Sequence, residues 1–184
     1  NTVKKFKFNN VEIFDRSKKL SGDKVPLTSV AKQVAERLES EGYYPGIVLQ
    51  VATTCPFLKS STIIKSINIL KKNKKANCVV TLKRIEHEHP YRAKKLNKKN
   101  LIFKQFIQGV NVEKFISRQD LPELYCTSGG LYARTFPLLQ TFNEKNFCLG
   151  ENPLGLVVDE IESINIDRVI DFDFANYVSK KLKN

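Results

Sequence analysis

Methionine is missing from this chain of 184 residues, histidine occurs only twice, and the four cysteines stand far apart. Each shortage excludes something. A chain that starts at Asn1 and holds no methionine reads as processed, truncated or part of a longer product. Cys55, Cys78, Cys126 and Cys148 form no C-x-x-C pair, so neither zinc-ribbon spacing nor a dense disulfide framework is indicated, and reduced, mostly buried thiols are expected. The longest strongly apolar stretch, residues 47–52, is far short of the roughly 20 residues that span a bilayer, and the start of the chain lacks the apolar core of a signal peptide. A soluble, cytoplasmic protein with no membrane partner is expected. No G-x-x-x-x-G-K-[ST] phosphate loop is present, and Ser21-Gly22-Asp23-Lys24 reads as a plain turn. His87 and His89 would share one face of a strand, but with no nearby cysteine or firmly placed third donor a structural or surface role is the better reading.

What is abundant is positive charge: 31 Lys and Arg stand against 19 Asp and Glu, a formal net charge of +12. Such a surplus suits nucleic acid, an anionic membrane surface or phosphate-bearing substrates. Lysine far outnumbers arginine and is accompanied by abundant asparagine, a composition spread over surfaces. No nucleic-acid motif accompanies it, so nucleic acid is not the expected partner. With 41% hydrophobic residues, a chain of this length forms one substantial core and buries roughly 70% of its unfolded surface. We expect a single domain over 1–184.

Hydrophobic periodicity orders the elements. Val30, Val34 and Leu38 form one stripe, which predicts a helix over residues 28–40 with Thr28 and Ser29 as cap candidates and a stop at Gly42. The apolar, β-branched run over residues 46–51 predicts a strand covered on both faces, ended by Pro56. Ser60 and Ser61 are cap candidates for a second helix striped by Ile63, Ile64, Ile67 and Leu70. Residues 78–82 predict another strand. Strand, helix, strand with short connections is the grammar of a parallel sheet with right-handed crossovers. Residues 86–123 sustain neither period and read as an excursion from the sheet, with its lysines a solvated face. Short strands over residues 130–133 and 154–158 follow, then a helix over residues 169–182 with Ile170, Phe174, Val178 and Leu182 on one side.

Several short motifs occur in a telling order: Leu20-Ser21-Gly22-Asp23, Ile47-Val48-Leu49-Gln50, Thr54-Cys55-Pro56-Phe57, His89-Pro90-Tyr91, Arg118-Gln119-Asp120-Leu121-Pro122, Gly129-Gly130-Leu131-Tyr132-Ala133, and Ser163-Ile164-Asn165-Ile166-Asp167 with Asp171-Phe172. Taken together these blocks resemble the acylneuraminate cytidylyltransferase family over residues 11–182. The resemblance implies a Rossmann-like α/β fold of the nucleotide-diphospho-sugar transferase type, a mostly parallel sheet flanked by helices, with residues 86–123 as an inserted dimerisation arm and a homodimer as the working form. It implies a nucleotidyltransferase that passes CMP from CTP to an acidic nine-carbon sugar and releases pyrophosphate, with magnesium (Mg2+) on the phosphates. Asp167 then falls where the family's metal-holding, catalytic aspartate lies, with Asn165 beside it as a second metal ligand. Gln50 matches a glutamine that binds the acyl sugar, with an extra residue between it and Pro56. Arg118 matches an arm arginine that helps recognise the partner's substrate, and Tyr132 a tyrosine lining the sugar pocket. The alternatives for these three are a sheet-edge cap, an ion pair near Asp120, and a core position.

The sequence also departs from that pattern. The family's R-x-G-S-K nucleotide loop has no counterpart, and Asn1 begins beyond where it should lie, so the chain as given is expected to bind CTP poorly. Cys126 stands where arginine is frequent, Ser128 replaces the asparagine of N-G-A, and Asn165 replaces the first aspartate of the D-I-D pair. An amide oxygen can ligate magnesium but brings no charge. These departures keep open a divergent transferase for another nucleotide or sugar acid, a non-catalytic binding or assembly subunit, and a basic nucleic-acid binder.

Overall fold

The computed structural model describes residues 11–182. Four strands, β1 (Ile47–Val51), β2 (Cys78–Arg84), β5 (Tyr125–Thr135) and β6 (Pro153–Val157), form one sheet in the order β1-β5-β2-β6. β2 pairs parallel with β6 and antiparallel with β5, which pairs antiparallel with β1. Three strands therefore run in one sense and β5 alone runs against them, so the sheet is mostly parallel in direction. The crossover from β1 to β2 skips one position, and β5 fills it.

Helices cover both faces. α1 (Leu27–Ser40) and the short α3 (Phe136–Gln140) lie on one, and α2 (Ser60–Lys72) lies on the other. The alternation of β1 shows why its run is apolar throughout. Val48 points into a cluster of Ala35, Phe136, Leu139, Phe142 and Cys148, while Ile47 and Leu49 point into a second cluster of Leu70, Ala76, Val79, Ala133 and Leu156. Phe136, Leu131 and Val79 are fully buried; truncating a phenylalanine in such a place costs about 3–5 kcal/mol.

The helix faces are rotated from their apolar stripes. α1 buries Ser29 and Ala35 against the sheet, whereas Val30 and Val34 line a groove under residues 14–17. α2 buries Thr62, Ser66 and Leu70 and leaves Ile64 exposed. Small and hydroxyl residues let these helices sit close to the sheet, and the hydroxyls are satisfied, as where Ser66 donates to Ile63 C=O at 2.7 Å. Thr28 and Ser29 do not cap α1. Pro26 occupies the cap position, while Thr28 and Ser29 lie inside the first turn and donate to Gln50 (3.3 Å) and Glu144 (2.7 Å). Lys59 holds the corresponding position before α2, so Ser60 and Ser61 do not cap it either. Gly42, with φ of 89°, ends α1 as expected.

The excursion leaves the sheet after β2 and returns through Leu124, whose carbonyl accepts from Ile85 N–H at 2.9 Å. It carries a separate two-stranded ribbon, β3 (Lys94–Leu96) and β4 (Phe103–Gln105). Phe103 and Phe106 on it are exposed, while Phe115 packs against Tyr91 with ring centroids 5.3 Å apart. The two histidines separate here. His87 is exposed; His89 is buried, accepts at Nδ1 from Tyr91 N–H (3.2 Å) and therefore donates from Nε2 to Pro122 C=O (3.1 Å). His89 is a pin across the base of the excursion. The last described element is α4 (Val169–Leu182), which buries Ala175 and leaves Ile170, Phe174 and Leu182 of its apolar stripe exposed.

Candidate functional site

β1, β2 and β6 end on the same side of the sheet, the side where open α/β sheets bind ligands. A cleft of about 660 Å3 opens there, lined by Lys83, by Ser128 and Gly129 of β5, and by the segment from Glu160 to Asp171. Its wall is shaped by an irregularity in the β2–β5 pairing between Val80 and Leu82. Thr81 Oγ1, fully buried, accepts from Ser128 Oγ at 2.7 Å and from Leu131 N–H at 3.0 Å, so the extra residues of β5 bulge around one hydroxyl. Gly129 turns the bulge with φ of 79°, a conformation that a side chain would strain.

Opposite the bulge lies the segment that carries Asn165 and Asp167. Ile166 N–H donates to Thr54 C=O at 2.9 Å, anchoring it to the loop after β1. The two polar residues point the same way: Asn165 Nδ2 donates to Asp167 Oδ2 at 2.7 Å. Asn165 Oδ1 in turn accepts from Cys55 Sγ at 3.6 Å, and burial pushes the Cys55 thiol above its ordinary pKa, keeping it a donor. Asp167 does not cap α4. That role belongs to Asp171, which accepts at Oδ2 from Arg168 N–H (2.8 Å) and Asp167 N–H (3.2 Å) while Arg168 holds its carboxyl below the usual range.

No group of three or more His, Cys, Asp or Glu side chains able to hold a metal occurs among the described residues. Magnesium usually needs only one or two protein carboxylates, with water and substrate phosphates completing its shell. Asp167 meets that minimum, and Asn165 could add its amide oxygen by exchanging the thiol hydrogen bond.

Gln50 and Tyr132 face each other across β1 and β5, on the α1 side of the sheet. They line a second pocket of about 370 Å3 together with Arg134. Thr127 and Tyr132 of β5 oppose Leu82 and Val80, two residues apart on β2, so the bulge brings the two ends of this stretch to within about 7 Å along the sheet at about 3.3 Å per residue. Arg118 joins neither cavity. It sits in a turn closed by a Ser117–Asp120 capping box and is ion-paired with Glu86 at the base of the excursion. Lys83 and Arg134 were not singled out by motif or spacing. Lys83 closes a strand that reads as core, and Arg134 sits in an apolar run where only its burial distinguishes it.

The fold and the edge cleft define an α/β domain with an open cleft at the carboxyl ends of its parallel strands. Among solved structures, the chain is similar to CMP:2-keto-3-deoxy-manno-octonic acid synthetase complexed with CTP, with a TM-score of 0.55, 11% identity, and 86% of this chain and 70% of that one covered. It is also similar to 4-diphosphocytidyl-2C-methyl-D-erythritol synthase from Anaerococcus prevotii DSM 20548, with a TM-score of 0.46, 17% identity, and 79% of this chain and 64% of that one covered. The likeness to the first is one of fold, and the chain spans only about two thirds of the length of these proteins. No protein-family model matches the chain, and no curated protein matches it. No helix among the described residues is long and apolar enough to cross a membrane.

Proposed function

We propose that the protein transfers CMP from CTP to an acidic nine-carbon sugar, releasing pyrophosphate. The observation that carries this reading is the Asp167 carboxylate standing in the cleft at the carboxyl edge, in a fold shared with a synthetase that binds CTP. In the reaction the sugar's anomeric hydroxyl forms a bond to the α-phosphorus, the bond from that phosphorus to the bridging oxygen breaks, and the hydroxyl proton is lost. A bound magnesium ion would offset phosphate charge and favour in-line geometry. Asp167 would hold it, with Asn165 alongside. Lys83, a cation on the same cleft, would attract the triphosphate. Gln50 and Tyr132 would receive the sugar, and Arg118 would act across a homodimer through the excursion, where exposed Phe103 and Phe106 suit a subunit contact.

A second reading is favoured by Asn165: with one carboxylate where two would attract a divalent ion better, the protein would be a non-catalytic binding or assembly subunit. Incubation with CTP, magnesium and a panel of nine-carbon sugar acids separates the two. Pyrophosphate release with a CMP-sugar detected by mass spectrometry supports the transferase. Binding of the acid without turnover supports the second reading, and neither binding nor turnover with any acid defeats both. Light scattering tests the homodimer, and a monomer at high micromolar concentration defeats the arm assignment.

A further inference from the structure

Arg134 is 3% exposed, and every acceptor it meets is neutral: Nε donates to Cys148 C=O at 2.8 Å, Nη1 to Gln50 Oε1 at 3.2 Å and Nη2 to Phe147 C=O at 3.2 Å. Among the described residues no carboxylate comes within ion-pair distance of it. The Tyr132 ring, 4.7 Å from the guanidinium carbon, offsets some of the charge but supplies no anion. A guanidinium has five N–H donors and stays protonated, so two donors are left over beside the pocket it lines. Burying a cation without a counter-ion is costly, and a ligand that brings the counter-ion recovers that cost on binding.

We propose that this pocket binds the carboxylate of a polyhydroxylated monoanion and that Arg134 is the residue that reads the charge. The lining sets the ligand's charge. Arg134 and Lys145 are positive and Glu144 is negative, a net of one positive charge, which matches a single carboxylate and disfavours a phosphate dianion. Glu144 is fixed by Ser29 Oγ at 2.7 Å, and with Thr28, Gln50 and Asn146 it offers hydrogen-bond partners for sugar hydroxyls. Planar, bidentate recognition of a carboxylate is the task for which a guanidinium is better suited than an ammonium. The inference deepens the reading above by assigning the sugar acid's carboxylate to one residue, but its test needs no turnover.

The test is direct titration of the full chain, without nucleotide, with N-acetylneuraminic acid, its methyl ester and inorganic phosphate, followed by calorimetry. The acid should bind saturably, and the ester at least about tenfold more weakly, the loss expected when charge-assisted hydrogen bonds go. Arg134→Gln should erase the difference between acid and ester, and Arg134→Lys should keep part of it. Should Arg134→Gln fail to fold, Lys145→Gln and the acid-against-ester comparison in the wild type still decide the matter: Lys145→Gln should weaken the acid and leave the ester unchanged. Equal binding of acid and ester, no binding of the acid, or preference for phosphate overturns the proposal, since Arg134 would then only staple the loop after α3 to the sheet. Acid binding with no CMP transfer sinks the transferase reading alone. CMP transfer with an unchanged KM for the acid in Arg134→Gln sinks this inference alone.

Discussion

Thr81 Oγ1 and Ser128 Oγ lie 2.7 Å apart inside the sheet, and their contact shapes the cleft wall. Thr81 also receives the Leu131 N–H at 3.0 Å. Thr81→Val keeps the shape of the side chain but leaves a buried hydroxyl and a buried amide without their acceptor. The loss should be about 1–3 kcal/mol in a denaturant titration. Ser128→Ala should cost less than Thr81→Val, because it leaves the amide bond to Thr81 in place, and the double variant should cost less than the sum. Equal and additive losses would mean that the bulge does not depend on this hydroxyl.

All four thiols are free, and their environments rank their reactivity. Burial pushes Cys78 up to about 11 and raises Cys55 and Cys148, so none of the three supplies thiolate near neutral pH. Cys126 is half-buried at the start of β5. A thiol-disulfide reagent at neutral pH should therefore modify Cys126 first, with the other three reacting at the rate of unfolding. Rapid modification of Cys55 in the native protein would show that the loop after β1 opens readily.

β1, β2, β6, the excursion and the bounds of α4 were legible because each rests on local pattern: β-branched runs for β1 and β2, broken periodicity for residues 86–123, sustained spacing for residues 169–182. β5 was legible only over residues 130–133 of its full run, Tyr125–Thr135, and the ribbon of β3 and β4 was not. Nor were the faces of α1 and α2. Of their buried positions only Leu70 lies on a hydrophobic stripe; Ser29, Ala35, Thr62 and Ser66 do not, and no apolar periodicity marks them. The place of β5 between β1 and β2 was equally hidden, since pairing order is set by long-range contacts. At the site, Asn165 and Asp167 were legible as a pair through their motif, and their shared orientation shows in the structure as a direct hydrogen bond. The cap of α4 is Asp171, whose reach back to Arg168 N–H depends on a turn that the sequence pattern does not describe. Arg134 stayed invisible because its meaning lies in the absence of a partner, a property of packing.

Two carboxylates give the fold an acid-sensitive limb. The Lys59 ammonium beside Asp159 and the Arg168 guanidinium beside Asp171 hold both carboxyls below the usual range. A depressed folded pKa contributes stability that is complete above the unfolded value and is lost as pH falls through the folded one. Melting temperature should thus stay level from neutral pH to about 5 and fall below about 4, where free carboxylates protonate. Asp159→Asn and Asp171→Asn should each shrink that fall while preserving acceptors for the nearby amides. An identical acid fall in both variants would place the titrating groups elsewhere.

Asn165 and Asp167 are joined by a 2.7 Å hydrogen bond in the cleft. If the pair holds magnesium, Asp167 is its only charged ligand, so Asp167→Asn should abolish magnesium-dependent turnover. The fold should survive, because the amides at the start of α4 are served by Asp171 and not by Asp167. Asn165→Asp should act in the opposite direction. A second carboxylate strengthens the attraction for the ion and should lower the magnesium concentration needed for half-maximal rate. It also faces Asp167 across the short gap the amide now bridges, and like charges that close raise one of the two pKa values. The gain in magnesium affinity should therefore be larger at pH 8 than at pH 6. The Cys55 thiol, still a donor at either pH, would steady the new carboxylate. Initial rates against magnesium for both variants at the two pH values, with melting temperatures as the control, test the assignment. Turnover that survives Asp167→Asn at unchanged magnesium demand would remove the pair from the metal site, whatever the fold of the domain around it.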